Sequence, residues 1–185
     1  MAADADVIVV GGGPAGAATG ALLARRGHDV LLIDKSAFPR EKACAEYYSP
    51  GAVDALERLG VLGSVEAARP ARPGGMRIVA GETAFVLTYP DGSRRRSALS
   101  IPRGVLDRIL LDHAEANGVR VVERVRALAA LVENRRVAGV VARVAGVTKE
   151  LRSRFVVAAD GLHSTIARSL DLEAPTLWPR RLGLV

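Results

Sequence analysis

The chain is poor in sulfur, histidine and aromatic side chains. One cysteine in 185 residues excludes a disulfide framework and any cysteine-built zinc site. The three histidines, His28, His113 and His163, share no metal-ligand spacing, so no metal site is expected. No apolar run approaches the roughly 18 residues of a membrane span, so no stable membrane insertion is expected. The start, Met-Ala-Ala-Asp-Ala-Asp, is acidic and leads straight into a strand-like run, which does not read as a signal peptide. No Gly-x-Ser-x-Gly elbow occurs, so hydrolase chemistry has no support. Lysine is scarce too: of 26 basic residues only Lys35, Lys42 and Lys149 are lysines. Net charge is +6 and the pI near 10.2, but the excess is arginine in a chain rich in Ala, Val and Gly, as GC-rich coding produces. The longest basic run, Arg94-Arg95-Arg96, follows an expected turn at Pro90-Asp91-Gly92 and has no interleaved aromatics, so no nucleic-acid partner is expected. What remains is a cytoplasmic α/β domain, 49% hydrophobic and long enough to hide about 70% of its unfolded surface.

Val7 to Val10 is a β-branched run that reads as a buried parallel strand. A helix is predicted from Pro14 to Arg26, closed by Gly27, and a second buried strand from Val30 to Ile33, ending at Asp34. Ser49-Pro50 opens a helix to about Leu59, stopped by Gly60, and residues 63–75 read as loop. Strand-like pieces at Arg77–Val79, Ala84–Tyr89 and Arg95–Ile101 suggest an antiparallel insertion. A helix from Gly104 to about Asn117 carries Leu106, Ile109, Leu110 and Ala114 on one face. A strand over Val119–Val122 follows, then three strands joined by turns at Val125–Val132, Val137–Val144 and Val147–Phe155. A last buried strand runs from Phe155 to Ala159, and a short helix from about Ser164 to Leu170. Nothing long and periodic follows Pro175.

Gly11-x-Gly13-x-x-Gly16 sits between a strand and a helix, and an acidic residue closes the next strand. In that context each residue type has a reason. Gly11 permits a tight turn, Gly13 lets a pyrophosphate approach bare backbone, and Gly16 lets the helix pack closely on the sheet. The helix N-terminus offers free N–H groups to phosphates. Asp34 can accept hydrogen bonds from a ribose and would repel a 2′-phosphate, which disfavours NADP in this slot. A second turn, Asp160-Gly161, follows a parallel-type strand, so it belongs at the same sheet edge; an ordinary helix cap is the alternative for Asp160.

Four stretches resemble, in order, the FAD-dependent aromatic hydroxylases, geranylgeranyl reductases and flavin halogenases. They are DVIVVGGGPAGAATGALLARRGHDVLLIDKS, FPREKACAEYYSPGAVDALERLGV, IPRGVLDRILLDHAEANGVRV and FVVAADGLHSTIAR. The second stretch is most similar to the geranylgeranyl-reductase branch, with Ala45 where glycine is usual and Tyr47-Tyr48 adding bulk. The resemblance implies a Rossmann-like FAD-binding domain, a parallel sheet with a β-meander, over 1–74 and 102–185. Residues 75–101 would be part of an antiparallel substrate-domain sheet. It implies FAD as cofactor, NAD(P)H as reductant and a small apolar organic substrate that is hydroxylated or reduced, with halogenation as the alternative; a non-catalytic nucleotide-binding half that needs a partner subunit is the other alternative.

By position, the resemblance gives Gly11, Gly13, Gly16 and Asp34 the ADP half of FAD, with their neighbours Pro14, Ala15 and Lys35. Arg103 would contact the ribityl or phosphate region, Val125 the adenine through its backbone, and Asp160 with Gly161 the ribose-pyrophosphate. Arg40, Cys44 and Glu46 lie where the family lines the flavin pocket, Cys44 and Glu46 being the catalytic candidates for protonating a substrate carbon. Each of these has a packing alternative: a small buried thiol, a solvated carboxylate, a helix brace. The family's later Gly-Asp motif and the halogenase Trp-x-Trp motif are absent, Trp178 being the single tryptophan. The chain is therefore expected to correspond to the N-terminal part of such an enzyme, truncated relative to the family. Self-association, or a partner chain completing the fold, is expected to cover the exposed edge.

Overall fold

The computed structural model describes residues 3–44, 46–89 and 97–174. In chain order the elements are β1 (Ala5–Val10), α1 (Pro14–Ala24), β2 (Val30–Ile33), β3 (Tyr47–Tyr48), α2 (Pro50–Leu59), α3 (Leu62–Ala67), β4 (Gly75–Ala80) and β5 (Thr83–Thr88). Then come β6 (Leu99–Ser100), α4 (Arg103–Ala116), β7 (Arg120–Val122), β8 (Val125–Glu133), β9 (Arg136–Val144), β10 (Val147–Ala158) and α5 (Thr165–Ser169). Ala45, the turn at Pro90-Asp91-Gly92, the run Arg94–Arg96, and the chain from Pro175 with Trp178 lie outside the described residues.

The main sheet has the order β7-β2-β1-β10-β9-β8. β7, β2, β1 and β10 are mutually parallel, while β9 and β8 continue the sheet as an antiparallel meander. This is the expected parallel sheet with a β-meander. Along β1 the side chains alternate between two cores, as the period of two demands. Val7 and Val9 enter a core closed by α1, α2 and α4; Ile8 and Val10 enter a second core with β8, β9 and Ile166 of α5.

α1 is built from Ala, Gly and Leu, and Gly16, Ala17, Gly20 and Ala21 are buried in it. Small side chains let it lie close to both the sheet and α4. Ser49 caps α2 by accepting a hydrogen bond from the Ala52 amide, Pro50 occupies the first turn, and Gly60 ends the helix with φ of +90°. α4 buries Leu106, Asp107, Leu110, Leu111 and Ala114.

Four sequence expectations need correction. Residues 63–75 are not all loop: α3 occupies Leu62–Ala67, held by the fully buried Val65. The strands expected at 147–155 and 155–159 are one. β10 pairs antiparallel with β9 through its first half and parallel with β1 through its second, so it changes partner without a turn. Nor is its end buried. Phe155 is 63% exposed because no described element covers that face. Within 75–101, β4 and β5 form a separate antiparallel hairpin, whereas Ala98, Leu99 and Ile101 are buried on the Rossmann side. β6 pairs there with β3.

Candidate nucleotide site

The parallel strands β1, β2 and β10 all end at one edge, and a cavity of about 330 Å³ opens there against the mouth of α1. The fold makes this edge a natural ligand crevice, since the strand ends and helix N-terminus converge on it. Gly11, Gly13, Pro14, Ala15, Asp34, Lys35, Arg40, Arg103, Val125, Asp160 and Gly161 all line it. Gly16 does not. A Cβ on Gly16 would strike the Gly11 carbonyl oxygen, so its task is the close crossing of α1 over β1.

Gly11 has φ of +106°, and a Cβ there would collide with the Ala159 carbonyl just past β10. Gly13 is different. Its φ of −73° suits any residue, and a Cβ would meet only Arg40 Nη2 at 3.4 Å and Arg103 Nη2 at 4.0 Å. Its missing side chain therefore keeps cavity space open between two guanidinium groups and the start of α1.

Asp34 is 5% exposed. Its Oδ2 accepts from the Gly12 amide and its Oδ1 from the Ser36 amide, both at 2.7 Å. Each oxygen keeps a lone pair for a sugar hydroxyl. Val125 gives its amide N–H to the Asp34 carbonyl at 2.8 Å and lines the cavity beside it. Asp160 takes the capping geometry: Oδ1 accepts from Ser164 Oγ and Oδ2 from the Thr165 amide, both at 2.6 Å. It braces the start of α5 while facing the cavity.

Five cationic side chains, Lys35, Arg40, Lys42, Arg103 and Arg126, line the cavity against two carboxylates. Lys42 and Arg126 escaped the sequence reading because nothing distinguishes a cavity cation from a surface one before the chain is folded. Asp107 escaped it too, although its spacing of four from Arg103 on a helix was a usable signal. Asp107 is fully buried and takes Arg103 Nε at 2.9 Å and Nη2 at 3.1 Å. That pairing holds the Arg103 guanidinium proton above its ordinary range.

Cys44 and Glu46 do not line the nucleotide cavity. They gather instead around Arg103. Glu46 Oε1 accepts from the Arg103 amide at 3.3 Å. The Cys44 thiol is held below the usual cysteine value, chiefly by a hydrogen bond from the Glu46 backbone and secondarily by Arg103. Burial pushes the Tyr48 hydroxyl up to about 12, and that hydroxyl has no hydrogen-bond partner among the described residues. Arg103 thus lines the cavity with its guanidinium, which also bonds the Cys44 thiol, and gives its backbone amide to the Glu46 carboxylate.

Comparison with known proteins gives this geometry a family. The family described as "FAD binding domain" matches residues 4–178. Menaquinone reductase of Mycobacterium tuberculosis is 36% identical over 170 residues, covering 90% of this chain. Digeranylgeranylglycerophospholipid reductase 1 of Methanopyrus kandleri is 34% identical over 178 residues, covering 94% of this chain. The chain spans 40% and 44% of those two proteins' lengths. Among solved structures, the myxobacterial chondrochloren halogenase superposes with a TM-score of 0.83 at 29% identity, over 89% of this chain and 39% of that one. A geranylgeranyl bacteriochlorophyll reductase-like protein of Thermoplasma acidophilum gives 0.79 at 26% identity, over 90% and 41%. This chain belongs to the FAD-binding-domain family of flavin-dependent oxidoreductases.

Proposed function

We propose that this chain holds the ADP half of FAD in the cavity at the mouth of α1, as the nucleotide-binding portion of an NAD(P)H-linked reductase of polyprenyl carbon–carbon double bonds. The observation that carries the reading is the bare Gly13 backbone, flanked by two guanidinium groups, with the buried Asp34 carboxylate beside it. Those residues fit a dinucleotide. The diphosphate would lie against the first amides of α1, between Arg40 and Arg103, and a ribose hydroxyl would donate to Asp34. When bound, FAD supplies hydride chemistry. The chain's own part is to hold, orient and neutralise it.

The relatives named as reductases of menaquinone and of digeranylgeranylglycerophospholipid support an apolar isoprenoid substrate. Cys44 and Glu46, gathered around Arg103 outside the lining of the nucleotide cavity, are the candidates for delivering a proton to the substrate carbon that receives no hydride. Completed by the polypeptide that supplies the rest of the substrate sheet, the chain with FAD, NADPH and a polyprenyl quinone or lipid, without oxygen, is expected to yield the dihydro product. Oxygen uptake coupled to a hydroxylated product would instead assign monooxygenation. Halogenation is kept as the second reading, favoured by the TM-score of 0.83 to the chondrochloren halogenase; a halide-dependent product would establish it.

The β4–β5 hairpin bears on partners. Met76, Ile78, Phe85 and Leu87 share one of its faces through cross-strand pairing, and all are exposed. A two-stranded hairpin is marginal alone in water. We assign it to the edge of a larger antiparallel sheet, supplied by further polypeptide or by a second copy, and this chain alone is expected to self-associate. A sharp monomer mass in solution would contradict that assignment.

A further inference from the structure

We propose that Asp107 is a positioning residue for the diphosphate of the nucleotide, acting through Arg103 and Arg40; this rests on the reading that FAD binds at the mouth of α1. Asp107 occupies a fully buried position on α4, among Leu106, Leu110 and Leu111. Packing alone gives no reason for a carboxylate there, since an apolar side chain of similar size avoids the cost of burying charge. Its neighbours supply the reason. Arg103 presents Nε and Nη2 to the two Asp107 oxygens in a fork, at 2.9 and 3.1 Å. That geometry fixes the plane of the guanidinium. Nη2 has a second hydrogen, and the same nitrogen lies 4.0 Å from where a Gly13 Cβ would be.

Arg40 approaches the same point. Its Nη2 lies 3.4 Å from the same point and 3.8 Å from Asp34 Oδ2, and its guanidinium stacks on the Phe38 ring at 4.7 Å. Its Nε is buried, makes no hydrogen bond among the described residues, and sits 3.7 Å from Asp107 Oδ2. Two guanidinium groups converging on one glycine repel each other unless an anion lies between them. Asp107 meets that need for both cations, while both guanidinium groups also line the cavity where a phosphate would lie. Donors held this way need no rearrangement when the anion arrives. The sequence alone assigned no role to Asp107.

The test is a double-mutant cycle with D107N and R103K, reading affinities for FAD, ADP and adenosine on the full chain by calorimetry. D107N keeps the side-chain shape and removes the charge and one acceptor. It is expected to weaken FAD and ADP by about tenfold or more, the scale of a charge-assisted hydrogen bond. Adenosine, which has no phosphate, is expected to stay within about twofold, and D107N is expected to add less than about threefold to the loss already caused by R103K. Unchanged FAD affinity in D107N, a parallel loss for adenosine, or losses that multiply in the double variant would each overturn the proposal. A wild-type chain that binds no FAD would remove the cavity reading and this proposal together. A wild-type chain that binds FAD alongside an equally competent D107N would remove only the positioning role. Should D107N not fold, the Arg103 Nε–H resonance of the wild-type chain decides. A slowly exchanging signal before nucleotide is added, shifting with ADP, supports preorganisation; a signal that appears only with ADP refutes it.

Discussion

Gly13→Ala separates binding from folding at one methyl group. The backbone at Gly13 already has φ of −73° and ψ of −177°, which alanine adopts without strain. Its Cβ would meet no backbone atom within 4 Å, only the Nη2 ends of Arg40 and Arg103. On the folding side, two small effects oppose each other. Replacing glycine at an allowed conformation stabilises by about 0.4–1 kcal/mol through the unfolded chain. Replacing it at a helix N-cap costs a similar amount. The net change is within about 1 kcal/mol, a melting shift of no more than about 2–4 °C for a domain of this size. On the binding side, the methyl occupies the space where a phosphate oxygen would meet the α1 amides. Losing one or two charge-assisted hydrogen bonds, at about 1.5–3 kcal/mol each, weakens FAD about tenfold to more than a thousandfold. Thermal melting by circular dichroism reads the first quantity and flavin fluorescence quenching the second. Wild-type FAD affinity in a folded Gly13→Ala protein would refute the cradle.

Gly16 of the same motif gives the opposite pattern. Gly16→Ala places a methyl on the Gly11 carbonyl, so it is expected to lower the melting temperature sharply before any ligand is added. Asp34→Ala strands the Gly12 and Ser36 amides, and at about 1–3 kcal/mol per unsatisfied donor it should cost about 2–4 kcal/mol, read by urea unfolding without nucleotide. Val65→Ala, in the short α3, should cost about 2 kcal/mol in the same assay, and a neutral result would mean that this helix is not anchored. Cys44 is the only cysteine, so its alkylation rate against pH is unambiguous. The midpoint should fall below that of an ordinary cysteine, and Arg103→Gln should raise it part of the way, because the Glu46 backbone is the larger cause. The sign for stability follows: the fold favours the thiolate, so this contribution is present above the ordinary cysteine value and is lost as pH falls through the depressed one.

The β1–α1–β2 unit was legible because three independent signals coincide there: apolar runs, glycine spacing and a terminal acid. α2 was legible from its ends, Ser49-Pro50 and Gly60. α3 was not. Six residues containing Gly63 carry too little periodicity, and the helix depends on Val65 finding a buried site that exists only in three dimensions. β10 was split because its apolar end differs in composition from its charged start, while the backbone ladder runs through both. At the site, the residues that contribute backbone or sit at strand ends were foreseen, since sheet topology alone brings them together. Lys42, Arg126 and Asp107 were not, because their meaning comes from neighbours distant in sequence. The resemblance placed Cys44 and Glu46 at the flavin pocket; packing gathers them around Arg103, outside the lining of the nucleotide cavity.

The most direct measurement is the crystal structure of this chain grown with ADP. Diphosphate oxygens are expected within hydrogen-bonding distance of the first α1 amides, between Arg40 and Arg103, with ribose hydroxyls on Asp34. A diphosphate bound elsewhere, or sugar hydroxyls that leave Asp34 untouched, would contradict the account.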